Sequence, residues 1–194
     1  MMKEQEIEFK NLLSKDEYAK LLQHFKSIPK KQITQTNIYL DTPDFKLKEK
    51  KCGLRIRTFA SGNHELTLKT PLSVGLLETT DSLAPSETKD ILAGAPLPNK
   101  EVTATLKSLN IQPQEIVAFG ELHTNRVEFP YASGLLVLDH SHYLNKEDYE
   151  IEFEVTDAIQ GELEFQQILT QLDIQKRPTL NKVVRFYNTV KNQS

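Results

Sequence analysis

Two short segments alternate strictly between charge and hydrocarbon: Glu6-Ile7-Glu8-Phe9-Lys10 and Glu150-Ile151-Glu152-Phe153-Glu154. On a β-strand alternate residues share a face, so each segment predicts one face of charge and one of apolar side chains. Successive glutamates on such a face lie about 7 Å apart, from a rise of about 3.3 Å per residue. A row of this kind repels itself unless cations compensate it. The middle of the chain carries the opposite sign in the same pattern, in Leu54-Arg55-Ile56-Arg57 and Leu66-Thr67-Leu68-Lys69. Half-exposed antiparallel strands also alternate apolar and polar residues, so each strand alone reads as a solvated face before it reads as a site. A solvated face, however, has no reason to segregate acid and base by strand. Together the segments predict one shared polar cavity that holds metal ions and an anion.

These strands need a scaffold. A chain of 194 residues predicts a single domain spanning 1–194, long enough to bury a sizeable core. Its net charge of −3 argues against a general nucleic-acid binder, while a local basic cluster can still hold a small anion. Cys52 is the only cysteine, which excludes an intrachain disulfide and a cysteine-rich zinc site, and it reads as structural. There is no apolar run long enough for a membrane span, and Met-Met-Lys-Glu-Gln-Glu is not a signal peptide. The expected location is cytoplasmic.

Strands are expected over 4–10, 32–40, 53–59, 64–70 and 74–82, with a hairpin turn at Ser61-Gly62-Asn63. Ser14 and Glu17 form a capping box ahead of a helix that buries Tyr18, Leu21, Leu22 and Phe25. Residues 85–110 read as two helices with Ser86 and Asn99 as N-caps. Strands return over 114–121, 123–130, 134–141 and 148–156, then helices over 160–172 and after Pro178, the last capped by Thr179. Lys182 and Arg185, three apart, share a face of that last helix. The fold class is α+β: about eight antiparallel strands that can close into a β-barrel, with helices covering the outside if the charged faces point inward.

These elements resemble the CYTH domain family, the triphosphate tunnel metalloenzymes. Glu6-x-Glu8-x-Lys10 looks like the family signature, and Tyr39-Leu40-Asp41-Thr42 is similar to its Tyr-x-Asp-Thr element. Leu54-Arg55-Ile56-Arg57 and Leu66-Thr67-Leu68-Lys69 look like its Leu-Arg-x-Arg and Leu-Thr-x-Lys strands. Arg126, Asp139 with Tyr143, Glu150-x-Glu152-x-Glu154 and Lys182 follow in the family's order, so the resemblance covers nearly the whole chain. It implies a polar tunnel, Mg²⁺ or Mn²⁺, and a ligand with a triphosphate chain: inorganic triphosphate, thiamine triphosphate or a nucleoside triphosphate.

Residue chemistry agrees with that implication. Arg55 and Arg57 suit bidentate grips on phosphate oxygens, and Lys10 and Lys69 act as point charges. Arg126 and Lys182 complete the cradle, with Arg185 beside them. Glu6, Glu8, Glu152 and Glu154 are the foremost metal ligands, followed by Glu150 and Asp139, and Glu78 offers a further carboxylate. The alternative for each carboxylate is an ion pair with the same cations. Catalysis is assigned to Glu6, Glu8, Glu152, Glu154 and Lys10. The expected reaction is metal-assisted hydrolysis of a terminal phosphoanhydride. His140 and His142 point the same way on one strand, as an imidazole metal site would, but read as surface or outlying histidines; His24, His64 and His123 carry no signal. Two other activities stay open: a class IV-type adenylate cyclase, although no His-Phe pair precedes Glu6, and a non-catalytic nucleotide- or polyphosphate-binding module. Dimerisation is possible, because a polar-lined barrel buries less apolar surface.

Overall fold

A computed structural model describes residues 2–191. The strands are β1 (Met2–Leu13), β2 (Lys31–Asp41), β3 (Gly53–Phe59), β4 (His64–Pro71), β5 (Leu76–Leu83), β6 (Val117–Tyr131), β7 (Gly134–Tyr143) and β8 (Lys146–Val155). The helices are α1 (Lys15–His24), α2 (Lys46–Glu49), α3 (Pro85–Leu92), α4 (Glu101–Ser108), α5 (Ala158–Gln171) and α6 (Lys182–Lys191). The strand order β1-β5-β4-β3-β2-β6-β7-β8 closes on itself as a barrel, and every pairing with a resolved register is antiparallel. No helix among the described residues is long and apolar enough to cross a membrane.

Two compact units make up the chain. One contains the residues up to Gln5 and Gln35–Leu122; the other contains Glu6–Thr34 and the residues from His123 onward. In the first unit, β3 and β4 turn Leu54, Ile56, Leu66 and Leu68 to one side, where they pack with Ile91, Val102, Leu106 and Ile111. In the second, Leu136, Leu138, Ile151 and Phe153 of β7 and β8 pack with Leu21 and Phe25 of the α1 segment and Phe165 and Ile168 of α5. Period-2 alternation leaves the opposite face of each ribbon to the charged residues.

The expected capping box closes α1: Ser14 Oγ accepts from Glu17 N, and Ser14 N donates to Glu17 Oε2. Other helix starts differ from expectation. α3 begins at Pro85 with Ala84 in the cap position, so Ser86 lies inside the helix. α4 begins one residue after Lys100 rather than at Asn99, because its capping carboxylate arrives through space: Asp81 Oδ2 of β5 accepts from Val102 N at 2.8 Å. Thr179 does not start α6. Its hydroxyl accepts from Leu12 N at 2.8 Å and donates to Arg177 O, fastening the segment before α6 to β1. The two strands expected over 114–121 and 123–130 are one continuous strand, β6, preceded by a single 3₁₀ turn at Pro113–Glu115. Proline suits the first position of that turn, since it has no N–H to leave unpaired.

Candidate active site

The second unit gathers ten of the fourteen residues singled out in the sequence: Glu6, Glu8, Lys10, Arg126, Asp139, Glu150, Glu152, Glu154, Lys182 and Arg185. Registry places most of them. Arg126 lies opposite Asp139, Asp139 opposite Glu150, Lys10 opposite Glu152 and Glu8 opposite Glu154. Cross-strand partners share a face, so the acids and bases meet on one side of β6, β7, β8 and β1. The first turn of α6 adds Lys182 and Arg185 to that face.

Arg126 grips Asp139 with two hydrogen bonds, Nε to Oδ1 at 2.8 Å and a terminal nitrogen to Oδ2 at 2.7 Å. It also reaches Glu152 at 2.8 Å. Lys182 Nζ lies 2.9 Å from Asp139, 3.0 Å from Glu150 and 2.5 Å from Glu152. Arg185 donates to Glu150 at 2.5 Å and to Asp148 at 3.2 Å, and Tyr143 donates its hydroxyl to the same Asp148 at 2.9 Å. Lys10 pairs with Glu8. Asp139, Glu150 and Glu152 are buried, at 1%, 0% and 5% exposure, so none of these charges is tolerable without its partners.

Burial works against ionisation of Glu152, but Lys182, Arg126 and Lys10 together outweigh it and hold this carboxyl well below the usual range. Asp139 is lowered on the same balance, with Arg126 and Lys182 overcoming its desolvation. Reciprocally, Lys182 is raised well above its ordinary value despite burial, by Asp139, Glu150 and Glu152. Glu154 is different. Burial pushes it up to about 7; Arg126 lowers it, but Glu152, Glu6 and Glu8 add to the upward push.

In the first unit, β3 places Arg55 and Arg57 on one face, and β4 adds Lys69 opposite Glu78 of β5. Glu78 pairs with Lys69 at 2.7 Å and Arg55 at 3.5 Å; its pKa is lowered because those cations overcome its desolvation. Arg57 Nε donates to Asn37 Oδ1 at 3.0 Å. Asp41, from the Tyr-x-Asp-Thr element, is buried and accepts from Thr42 N, Leu47 N and Lys48 N, so its carboxylate builds the turn into α2. Cys52 is buried and free, as a structural cysteine should be.

Sequence reading missed Asp148 and Asn11. Asp148 continues the period-2 row of Glu150, Glu152 and Glu154 by one more step, a signal that was available. Asn11 is buried and ties β1 to the segment before α6: it donates to Gln175 O at 3.0 Å and accepts from Arg177 N at 2.6 Å. Nothing local announces that role.

The donor set suits a hard divalent cation. It is all oxygen, three of its carboxylates crowd one corner (Glu6, Glu8, Glu154), and Glu150 Oε1 is buried with no hydrogen-bond partner. In the first unit Arg55 Nε is likewise buried and unpartnered, a donor suited to an anion.

A model of the CYTH domain matches residues 4–187. The chain is 48% identical to the Bacillus subtilis (strain 168) protein named "Putative triphosphatase YjbK" over 187 residues, covering 96% of each. It also resembles the crystal structure of "a putative adenylate cyclase" from Bacillus halodurans, with a TM-score of 0.90 and 40% identity, covering 96% of this chain and 100% of that one. A Hippeastrum protein, HpAC1, is alike in fold, with a TM-score of 0.81 at 22% identity, covering 95% of this chain and 96% of that one.

Proposed function

This chain belongs to the CYTH domain family, and on that premise we propose that it is a metal-dependent triphosphatase whose foremost substrate is inorganic triphosphate, with organic triphosphates next. The observation that carries this reading is the carboxylate crowd at Glu6, Glu8 and Glu154 beside the fully paired set at Asp139 and Glu152. A triphosphatase needs both: carboxylates gathered at one corner for the metal, and cations held rigidly for the phosphates. The name carried by the Bacillus subtilis relative supports the same reaction class.

Phosphoryl transfer asks mostly for positioning and charge stabilisation. We assign Glu6, Glu8 and Glu154 to Mg²⁺ or Mn²⁺, with Glu150 and Glu152 completing the set. When bound, such an ion neutralises phosphate oxygens and acidifies an attacking water. Arg126, Lys182 and Lys10 are assigned to phosphate oxygens. Their bonds to Asp139, Glu150, Glu152 and Glu8 fix their geometry before substrate arrives, so little reorganisation is left to the reaction. Arg185, braced by Asp148 and Tyr143, orients Glu150. Arg55, Arg57 and Lys69 are assigned to phosphate as well, and Glu78 bridges Arg55 and Lys69.

The test is phosphate release from tripolyphosphate, thiamine triphosphate and ATP, with Mg²⁺ or Mn²⁺, by wild type and Glu152→Gln. Removing this charge should lower turnover about 100-fold, the usual scale for one preorganised electrostatic group. Equal turnover in the folded variant would overturn the assignment. The second reading, a class IV-type adenylate cyclase, rests on the name carried by the Bacillus halodurans relative. Cyclic AMP formed from ATP with Mn²⁺, in place of released phosphate, would favour it.

A further inference from the structure

We propose that His140, His142 and Glu147 form a second cation site, for a borderline divalent metal such as Zn²⁺, on the opposite face of the β7–β8 ribbon from Asp139 and Glu150. Period-2 alternation puts His140 and His142 on one face of β7, and registry sets Glu147 of β8 directly across from His142. One ligand atom from each of the three lies within 4.8 Å of the others. His140 Nε2 is 3.0 Å from Glu147 Oε2, and His142 Nδ1 is 4.0 Å from the same oxygen. Metal–nitrogen and metal–oxygen bonds of about 2.1 Å at tetrahedral angles separate neighbouring ligands by about 3.4 Å, a value these two distances bracket. Small side-chain rotations therefore suffice to close a three-ligand site.

The ligands are braced. Tyr149 stacks on the His140 ring, centroids 4.3 Å apart and planes 13° apart, and its hydroxyl donates to Glu147 Oε2 at 3.3 Å. Groups that hold ligands in place in this way are a normal part of zinc sites. A simple ion pair would need one histidine for Glu147. Here a second imidazole, 4.1 Å from the first between centroids, brings another nitrogen to the same carboxylate. The side chains of His142 and Glu147 are 47% and 49% exposed, which leaves a metal its entry path and a water its fourth position. Two imidazoles and one carboxylate favour Zn²⁺, whereas the all-oxygen set on the other face favours Mg²⁺ or Mn²⁺, so the two faces select different ions. A metal here would pin β7 to β8 next to the turn that joins them.

This inference is independent of the triphosphatase reading. The experiment is Zn²⁺ titration by calorimetry into the metal-free full chain, with Mg²⁺ in excess to occupy oxygen-only sites. Wild type and Glu152→Gln should each bind a single Zn²⁺. His142→Ala and Glu147→Gln, both at exposed positions, should each weaken binding by about tenfold or more, and Tyr149→Phe by less. Absence of Zn²⁺ binding, equal affinity in both ligand variants, or loss of binding in Glu152→Gln would each overturn the proposal.

Discussion

Glu154 is the carboxylate whose ionisation costs the fold most visibly. Its carboxyl is pushed up to about 7 by burial and by its acidic neighbours, whereas an unfolded glutamate titrates near 4.3. The folded chain therefore holds a proton that the unfolded chain has released across that interval. Stability falls as pH rises from about 4.3 to about 7, and the penalty is complete above it. Replacing Glu154 with Gln should raise the melting temperature of the metal-free protein near pH 8 and leave it unchanged near pH 4, where the wild-type group is already neutral. An equal shift at both pH values would mean that charge is not the cause. Glu152 has the opposite sign. Its lowered pKa contributes stability above the unfolded value, and that contribution disappears only as pH falls through the depressed folded value.

Elements are fixed partly by neighbours in sequence and partly by neighbours in space, and α4 shows the second case. Asp81 lies on the apolar side of β5, buried at 3%, where a carboxylate has no place unless it is bonded. Its bond to Val102 N satisfies both that carboxylate and one orphan donor of the helix. Asp81→Ala should cost about 1 kcal/mol, lowering the melting temperature by about 2–4 °C for a chain of this size. A thermal melt with unchanged midpoint would show that water replaces the cap. The α1 capping box, by contrast, was legible because both partners lie within three residues. Thr179 had the right chemistry for a cap but was claimed by Leu12 N, which local reading does not weigh.

At the scale of the molecule, each unit follows one scheme: an antiparallel ribbon with hydrocarbon on one face, covered by helices, and charge on the other. That scheme was legible because period-2 alternation records which residues share a face; it pointed to the barrel class and to most of the strands and charged residues, although β6 read as two strands and Asp148 was missed. Pairing was not legible. Alternation does not say that Lys182 would bond Asp139, Glu150 and Glu152 together, nor that Asp148 and Tyr143 would brace Arg185. If the charged faces serve a ligand, tripolyphosphate at about 100 times its dissociation constant should stabilise the protein by about 2.7 kcal/mol, a shift of roughly 5–10 °C. An unmoved melting curve would leave them as structural ion pairs. The position of Lys182 also sets an order of events in the cell. It bonds Glu152 from 30 residues further along the chain. At about 5–20 residues per second, a ribosome delivers the acidic row roughly 2–6 s before the lysine that neutralises it. During that interval Glu152 has only the earlier cations Arg126 and Lys10 to meet, and the charged face is completed only when α6 has been made.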